Sequence, residues 1–472
     1  MKMSKFALTA MVASACCAGT AFGQSNRSAP RYYPASYYSY YQDGSQAPVA
    51  SASDAKTTSS ACCDKGSACD VADICNGKGG KGGSCDSMGS CDCGNGACDG
   101  GCGSGCGSSG LFGLGLIGTG RKLDDPWKLA PKGIAGVTVG GWTSMGYHSR
   151  STPNNFDTFP RNLQLGQQWF FAEKIADGKE GIGLGGRIDY LYGTDAPDTQ
   201  AFGVTGRDFD NRWVNGSNNL GYGHAIPQLY GEVAVGDLSV KVGHFFTIVG
   251  HEVVASTGNF FYSRQFTFYN AIPFTHNGAL STYKVNENTQ LYNGYVTGWD
   301  SAFRDNGDAY IGGFKHKFND TWNVVYSTVL GRFGDANVLN NHERGSVNDV
   351  VLTANLTEKL TFINQTSVLY THNAASTIQR NTFGNISYMI YKLNDRVSLG
   401  NRFEWFNFGG ASFNNRKNDD LVNVTTGINY RAHANLLFRP EARYIWDPTQ
   451  YGFTEKGGTY QGSVGGDMIV TF

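Results

Sequence analysis

Leu421-Val422-Asn423-Val424-Thr425-Thr426-Gly427-Ile428-Asn429-Tyr430-Arg431 is the stretch that decides the fold. Val422, Val424, Thr426, Ile428 and Tyr430 share one face of an extended chain, with Asn423, Thr425, Gly427, Asn429 and Arg431 on the other. Successive side chains of a strand point to opposite sides, so this is a strand with one apolar face. The next segment repeats the pattern and adds charge: Leu436, Phe438, Ala442 and Tyr444 oppose Asn435, Arg439, Glu441 and Arg443. A soluble sandwich and a barrel in a bilayer both produce this alternation. The connections between strands have to separate them.

From about Val137 onward the chain reads as such segments, each near ten residues. Short polar turns recur at Asp177-Gly178, Gly236-Asp237, Asn286-Glu287-Asn288, Asn319-Asp320, Thr357-Glu358, Asn394-Asp395 and Ala432-His433. The last four begin at 319, 357, 394 and 432, intervals of 38, 37 and 38 residues, which suits two strands, one tight turn and one longer loop. Longer connections fall at about 148–163, 193–225, 250–278, 298–308, 331–346, 371–381, 409–420 and 446–458. Tight turns at one end and long loops at the other are the asymmetry of outer-membrane barrels. Seven turns and eight loops predict an all-β, antiparallel transmembrane barrel of about 16 strands, both termini on the periplasmic side.

Composition agrees. Charged residues make up 16% of the 472, against the roughly 25% usual in globular chains, while Gly numbers 64 and aromatics reach 13%. Lys plus Arg, 38, nearly cancels Asp plus Glu, 39, leaving no basic field to hold nucleic acid. Mean hydropathy is −0.32, and no uncharged apolar run of about 18 residues follows the N-terminus, which excludes spanning helices.

The first residues read as an export signal: Lys2 and Lys5, an apolar stretch from Phe6 through Ala15, then Ala21-Phe22-Gly23 ahead of Gln24, with cleavage expected after Gly23. Lipidation at Cys16 or Cys17 is the alternative, with no Leu in the usual place before them. Residues 24–61 are low-complexity and Tyr-rich, and read as disordered. All twelve cysteines precede residue 107, ten of them between Cys62 and Cys106 among Gly, Ser and Asp. After export, this 62–110 segment reads first as a disulfide-stapled periplasmic arm; metal binding and a partner or cell-wall role remain alternatives. A linker, 111–132, joins it to a barrel domain at 133–472.

The chain ends Met468-Ile469-Val470-Thr471-Phe472, a last strand finishing on an aromatic. Phe472 resembles the terminal signal that barrel assembly machinery recognises. Trp142, Trp322, Trp405 and Trp446 lie near strand ends, where rings sit at a membrane interface. Leu163-Gln164-Leu165-Gly166-Gln167-Gln168-Trp169-Phe170-Phe171-Ala172-Glu173-Lys174, Gly185-Gly186-Arg187-Ile188-Asp189-Tyr190, Val242-Gly243-His244-Phe245-Phe246 and Pro273-Phe274-Thr275-His276-Asn277-Gly278 carry a more specific likeness. Together they resemble the OmpL-like β-barrel porin family over about 133 to the end, which implies an outer-membrane pore and brings no catalytic or ligand residues.

Alternation assigns Arg187, Asp189, Glu232, Lys241, Lys315, Lys317, Arg402, Glu404, Arg439, Glu441, Arg443 and Asp467 to the face away from lipid, where each needs water or a partner. They read equally as a pore lining that orients solutes and as ion pairs bracing the wall. Residues 251–277 hold Phe260, Phe261, Tyr262, Phe266, Phe268, Tyr269 and Phe274, more apolar area than an exposed loop tolerates. Either this loop folds into the barrel and sets a constriction, with His251, Glu252, Arg264 and His276 lining it, or it packs on outer loops or a second subunit. The nine histidines form no zincin motif, and no nucleophile elbow or phosphate loop occurs. The expectation is a porin passing small hydrophilic solutes and ions, with no enzyme activity, cofactor or metal, in contact with outer-membrane lipid and assembling as a homotrimer by analogy. A non-conducting barrel serving as tether or adhesin through its Cys-rich arm is the alternative.

Overall fold

The structure is a computed structural model. It describes residues 123–472 apart from 124–125, 131–132, 135, 153–154, 158, 202–208, 211–220, 304–306 and 336–341. The export signal, the Tyr-rich segment, the cysteine-rich segment and most of the linker lie outside the described residues.

Strands β1 (Thr138–His148), β2 (Leu163–Lys174), β3 (Ile182–Gly193), β4 (Gly223–Ala225), β5 (Leu229–Val235), β6 (Leu238–Phe246), β7 (Thr275–Asn286), β8 (Thr289–Val296) and β9 (Asp308–Lys317) form the first half. The second half is β10 (Trp322–Asp335), β11 (His342–Asn355), β12 (Leu360–His372), β13 (Ile378–Lys392), β14 (Val397–Gly410), β15 (Arg416–His433), β16 (Leu436–Trp446) and β17 (Tyr460–Thr471). Apart from β4 and β5, each pairs antiparallel with its neighbours in the chain, and β1 pairs with β17 from Trp142↔Thr471 to His148↔Gly465, closing the sheet. Both β4 and β5 pair with β3, so the seventeen strands are sixteen staves, one of them interrupted at 226–228. Pro227 sits in that gap and has no N–H to give a ladder; Gln228 still accepts the Asp189 amide at 3.0 Å.

Short turns close through side chains that imitate backbone. Asn319 Oδ1 accepts the amides of Thr321 and Trp322, both at 2.9 Å. Asn394 does the same for Arg396 and Val397 at 2.9 and 3.0 Å, as the Asx-turn habit of Asn predicts. The turn between β15 and β16 falls at Ala434-Asn435, two residues past its expected place.

The barrel is inside-out relative to a soluble protein. Along β16, Arg439, Glu441, Arg443 and Ile445 are buried while Ala442, Tyr444 and Trp446 are exposed. Val424, Phe403, Leu330 and Val233 are likewise exposed on the outer wall, where an outer-membrane barrel meets lipid. Among the described residues no helix is long and apolar enough to cross a membrane. Trp322, Trp405 and Trp446 lie on the outer face, but Trp142 does not. It points inward, donating to Gln167 at 2.8 Å and stacking on Trp169 at 4.6 Å, because its parity on β1 matches that of buried Ser144.

Candidate functional site

Residues 247–274 leave the end of β6 and turn into the barrel. Gly250, at φ +94°, makes the entry bend, in a backbone region that side chains other than Gly rarely occupy. A single 3-10 turn (Ser256–Gly258) and a short helix, α1 (Phe266–Ala271), give the segment its only regular structure among the described residues. Every residue from Phe261 to His276 is buried. Of the two placements the sequence left open for this loop, the geometry is the inward one.

Two wall carboxylates hold the loop by its backbone amides, and an arginine held by a third carboxylate grips its carbonyls. Glu404 on β14 accepts Phe266 N at 2.9 Å and Thr267 N at 2.7 Å, two of the unpaired donors at the start of α1. Glu441 on β16 accepts Tyr262 N at 2.9 Å and Ser263 N at 3.2 Å. Asp467 on β17 takes the Nε and Nη2 of Arg439, both at 2.7 Å, freeing Arg439 Nη1 to reach Ser256 O at 2.8 Å and Asn259 O at 2.6 Å. Glu404, Glu441 and Arg439 therefore each meet dipoles of the loop, and Asp467 meets Arg439, the condition for burying charge without a large penalty.

The fourth clamp is an ion pair. Arg402, 0% exposed, binds Glu252 of the loop and also gives hydrogen bonds to Ser263 O at 2.8 Å and Thr425 Oγ1 at 3.0 Å. Glu252 completes its shell with Tyr388 Oη at 2.8 Å and the Gln265 amide at 2.7 Å. Arg443 donates to Arg264 O at 3.1 Å and Asn423 Oδ1 at 3.0 Å. From the opposite wall, Gln167 on β2 donates to Val254 O at 2.6 Å and accepts Ser256 N at 2.9 Å.

Glycines in the wall shape the seat. A Cβ at Gly400 would fall on the Phe260 ring, one at Gly146 on the Tyr262 ring and one at Gly384 on Thr267; at Gly427 it would press Phe261 at 3.2 Å. All four face inward, on β1, β13, β14 and β15. From above, Phe156 packs on Tyr269 and Phe274 at 5.6 Å each, and Phe453 on Phe266 at 5.0 Å.

The remaining residues marked by the sequence fall into three places. Arg187, Asp189, Glu232 and Lys241 sit together on β3, β5 and β6: Arg187 pairs with Asp189 at 2.6 Å and Glu173 at 3.1 Å, and Lys241 lies 4.4 Å from the Tyr230 ring centre, opposite Glu232 in register. Lys315 and Lys317 lie toward the turn end of β9, Lys317 exposed and paired with Asp320 at 2.6 Å. His251, half-buried, stands edge-on to Tyr388 at 4.9 Å. His276 is at the loop's root instead, bonded to Gly298 O and Thr247 Oγ1, both at 2.9 Å. Arg264 turns back onto the loop's own carbonyls, Tyr262 O and Val254 O, both at 2.7 Å. Gln167, Tyr388, the four glycines and Gln365, which accepts the Gln265 side-chain amide at 3.1 Å, belong to the same seat and were not marked by the sequence. The usable signal was inward-parity glycines on neighbouring strands in a chain with an aromatic-rich loop.

Residues 136–472 match the family model described as "Putative beta-barrel porin-2, OmpL-like". The chain belongs to this family. No curated protein matches this OmpL-like chain. Among solved structures it is similar to the trimer form of OmpT, an outer-membrane protein of Vibrio cholerae, at 12% identity and TM-score 0.49, covering 71% of this chain and 99% of that one. It is similar to an anion-selective porin from Comamonas acidovorans at 9% identity and TM-score 0.49, covering 71% and 99%. It is also similar to DcaP, an outer-membrane channel of Acinetobacter baumannii, at 10% identity and TM-score 0.46, covering 74% and 99%.

Proposed function

We propose that the chain is an outer-membrane porin that passes small hydrophilic solutes and ions down their gradients, using no cofactor and no covalent chemistry. What carries the reading is the pairing of an apolar outer wall with an inner wall of Arg, Glu, Asp, Asn and Thr, which only an interior meant for water or polar loops requires. Arg187, Glu232, Lys315 and Lys317, the more accessible of the marked charges, line the water-filled part toward the short turns and bias ion passage. Both termini, on that same rim, face the periplasm; the cysteine-rich arm then lies there too. A homotrimer is the proposed assembly.

Reconstitution into planar bilayers tests this through conductance and reversal potential together. Folded barrel that never conducts, with or without residues 251–274, refutes it. Burial of the inner wall at mid-height favours a second reading, a non-conducting barrel that acts as tether or adhesin. That reading predicts the same silence in both preparations.

A further inference from the structure

We infer that the 247–274 loop is a plug, and that this structure is the closed state of a gated channel; the inference rests on the porin reading above. A fixed constriction narrows a passage but leaves wet side chains beside it. Here every one of the sixteen staves carries an inward side chain less than a tenth exposed, Ser144 on β1, Phe245 on β6, Val347 on β11 and Arg402 on β14 among them. One apolar cluster joins Ile248, Val249 and Ile272 of the loop to Leu280, Val329 and Leu369 of the wall. The described interior is filled by side chains across its middle.

The attachments divide into a hinge and a latch. At the root, Thr247 N donates to Phe274 O at 3.1 Å, and Asp300 Oδ1 accepts Phe274 N at 2.8 Å and Thr275 N at 2.9 Å. These bonds tie the two ends of the loop to each other beside β6 and β7. The body between Gly250 and Pro273 is instead held mostly by β13 to β16, through Tyr388, Arg402, Glu404, Arg439 and Glu441. Latch bonds can part while the root stays tied, so the body swings about its root and opens the lumen beside β13–β16. The latch is polar: water can replace each of its bonds once the body lifts. Its sockets are glycines, so the seat is specific to this loop.

A reversible lock tests the plug in the full-length protein. A Cβ on Gly384 lies 3.0 Å from Thr267 Cβ, so Gly384→Cys with Thr267→Cys places two Cβ atoms about half an ångström inside the shortest disulfide spacing, a gap that a small shift of the loop supplies. Single-cysteine variants control for the native thiols, all of which precede residue 107. Oxidised double-cysteine protein is expected to stay shut in planar bilayers, with reductant restoring openings at least as frequent as those of the wild type, because the Cβ added at Gly384 crowds position 267. Gly400→Leu, which fills a socket, is expected to raise time-averaged conductance at least tenfold. Steady wild-type conductance that the disulfide leaves unchanged overturns the plug while leaving the porin standing. If neither wild type nor Gly400→Leu conducts, yet both migrate as folded barrels before heating, the porin reading fails and the plug with it.

Discussion

Arg402→Met is the substitution that loads the latch most directly. Met keeps an unbranched apolar stem and removes the guanidinium and its charge, leaving Glu252 buried with only Tyr388 and the Gln265 amide for company. Breaking one half of a buried ion pair costs about 3–5 kcal/mol. That cost falls on the closed state, because with the loop lifted Glu252 meets water. At about 1.4 kcal/mol per factor of ten, the open-to-closed ratio should rise by two to three and a half decades. Single-channel recording reads it as a passage from rare openings to a mostly open channel. The double variant Glu252→Gln, Arg402→Met leaves no unpaired charge and should close more often than Arg402→Met alone. Wild-type gating in a folded Arg402→Met barrel would refute the reasoning, as would a double variant no more closed than the single.

Three further outcomes are expected. Burial lifts Asp195 to about 7, with Arg264 and the Gln167 amide pulling the other way. A carboxyl raised in the folded state stabilises fully below its ordinary range and loses that contribution as pH climbs from about 4 to about 7, so Asp195→Asn should overtake wild type by up to about 4 kcal/mol at pH 8 in denaturation from detergent. Val424→Lys, on the lipid face of β15, should cost about 2–4 kcal/mol in lipid vesicles if it sits at the midplane, whereas Thr353→Lys on the inward face of β11 should fold normally; equal losses would remove the assignment of faces. Asn435→Ala, which loses bonds to Trp127 N, Trp127 O and Thr471 O, should speed proteolysis near residue 127 without changing conductance.

The parts of this molecule that obey a local period were readable in its residues. Alternation in β15 and β16 separates Val424 from Arg443 correctly because a strand's period of two leaves no freedom once one residue is placed. Turns such as Asn319-Asp320 were legible since Asn closes them by its own side chain. What resisted was pairing across the lumen. Glu252 and Arg402 are 150 positions apart, and nothing local to either distinguishes a partner from water. Gly384, Gly400 and Gly427 look like ordinary strand glycines until Thr267, Phe260 and Phe261 are seen lying on them. Trp142 misled for a related reason: its place near a strand end suggested a membrane rim, while parity put it inside.

The clamp at Asn435 has a mechanical side. One amide side chain holds the backbone of Trp127, the last turn of the barrel and Thr471 of the closing strand, beside the line where β1 meets β17. That line joins residues more than 300 positions apart and is the costliest contact to find during folding. Anything that tugs on the segment before Trp127 therefore pulls on the zip of the barrel, far from the latch. A load on the arm would report whether the cylinder is sealed, and would leave the gate's balance untouched.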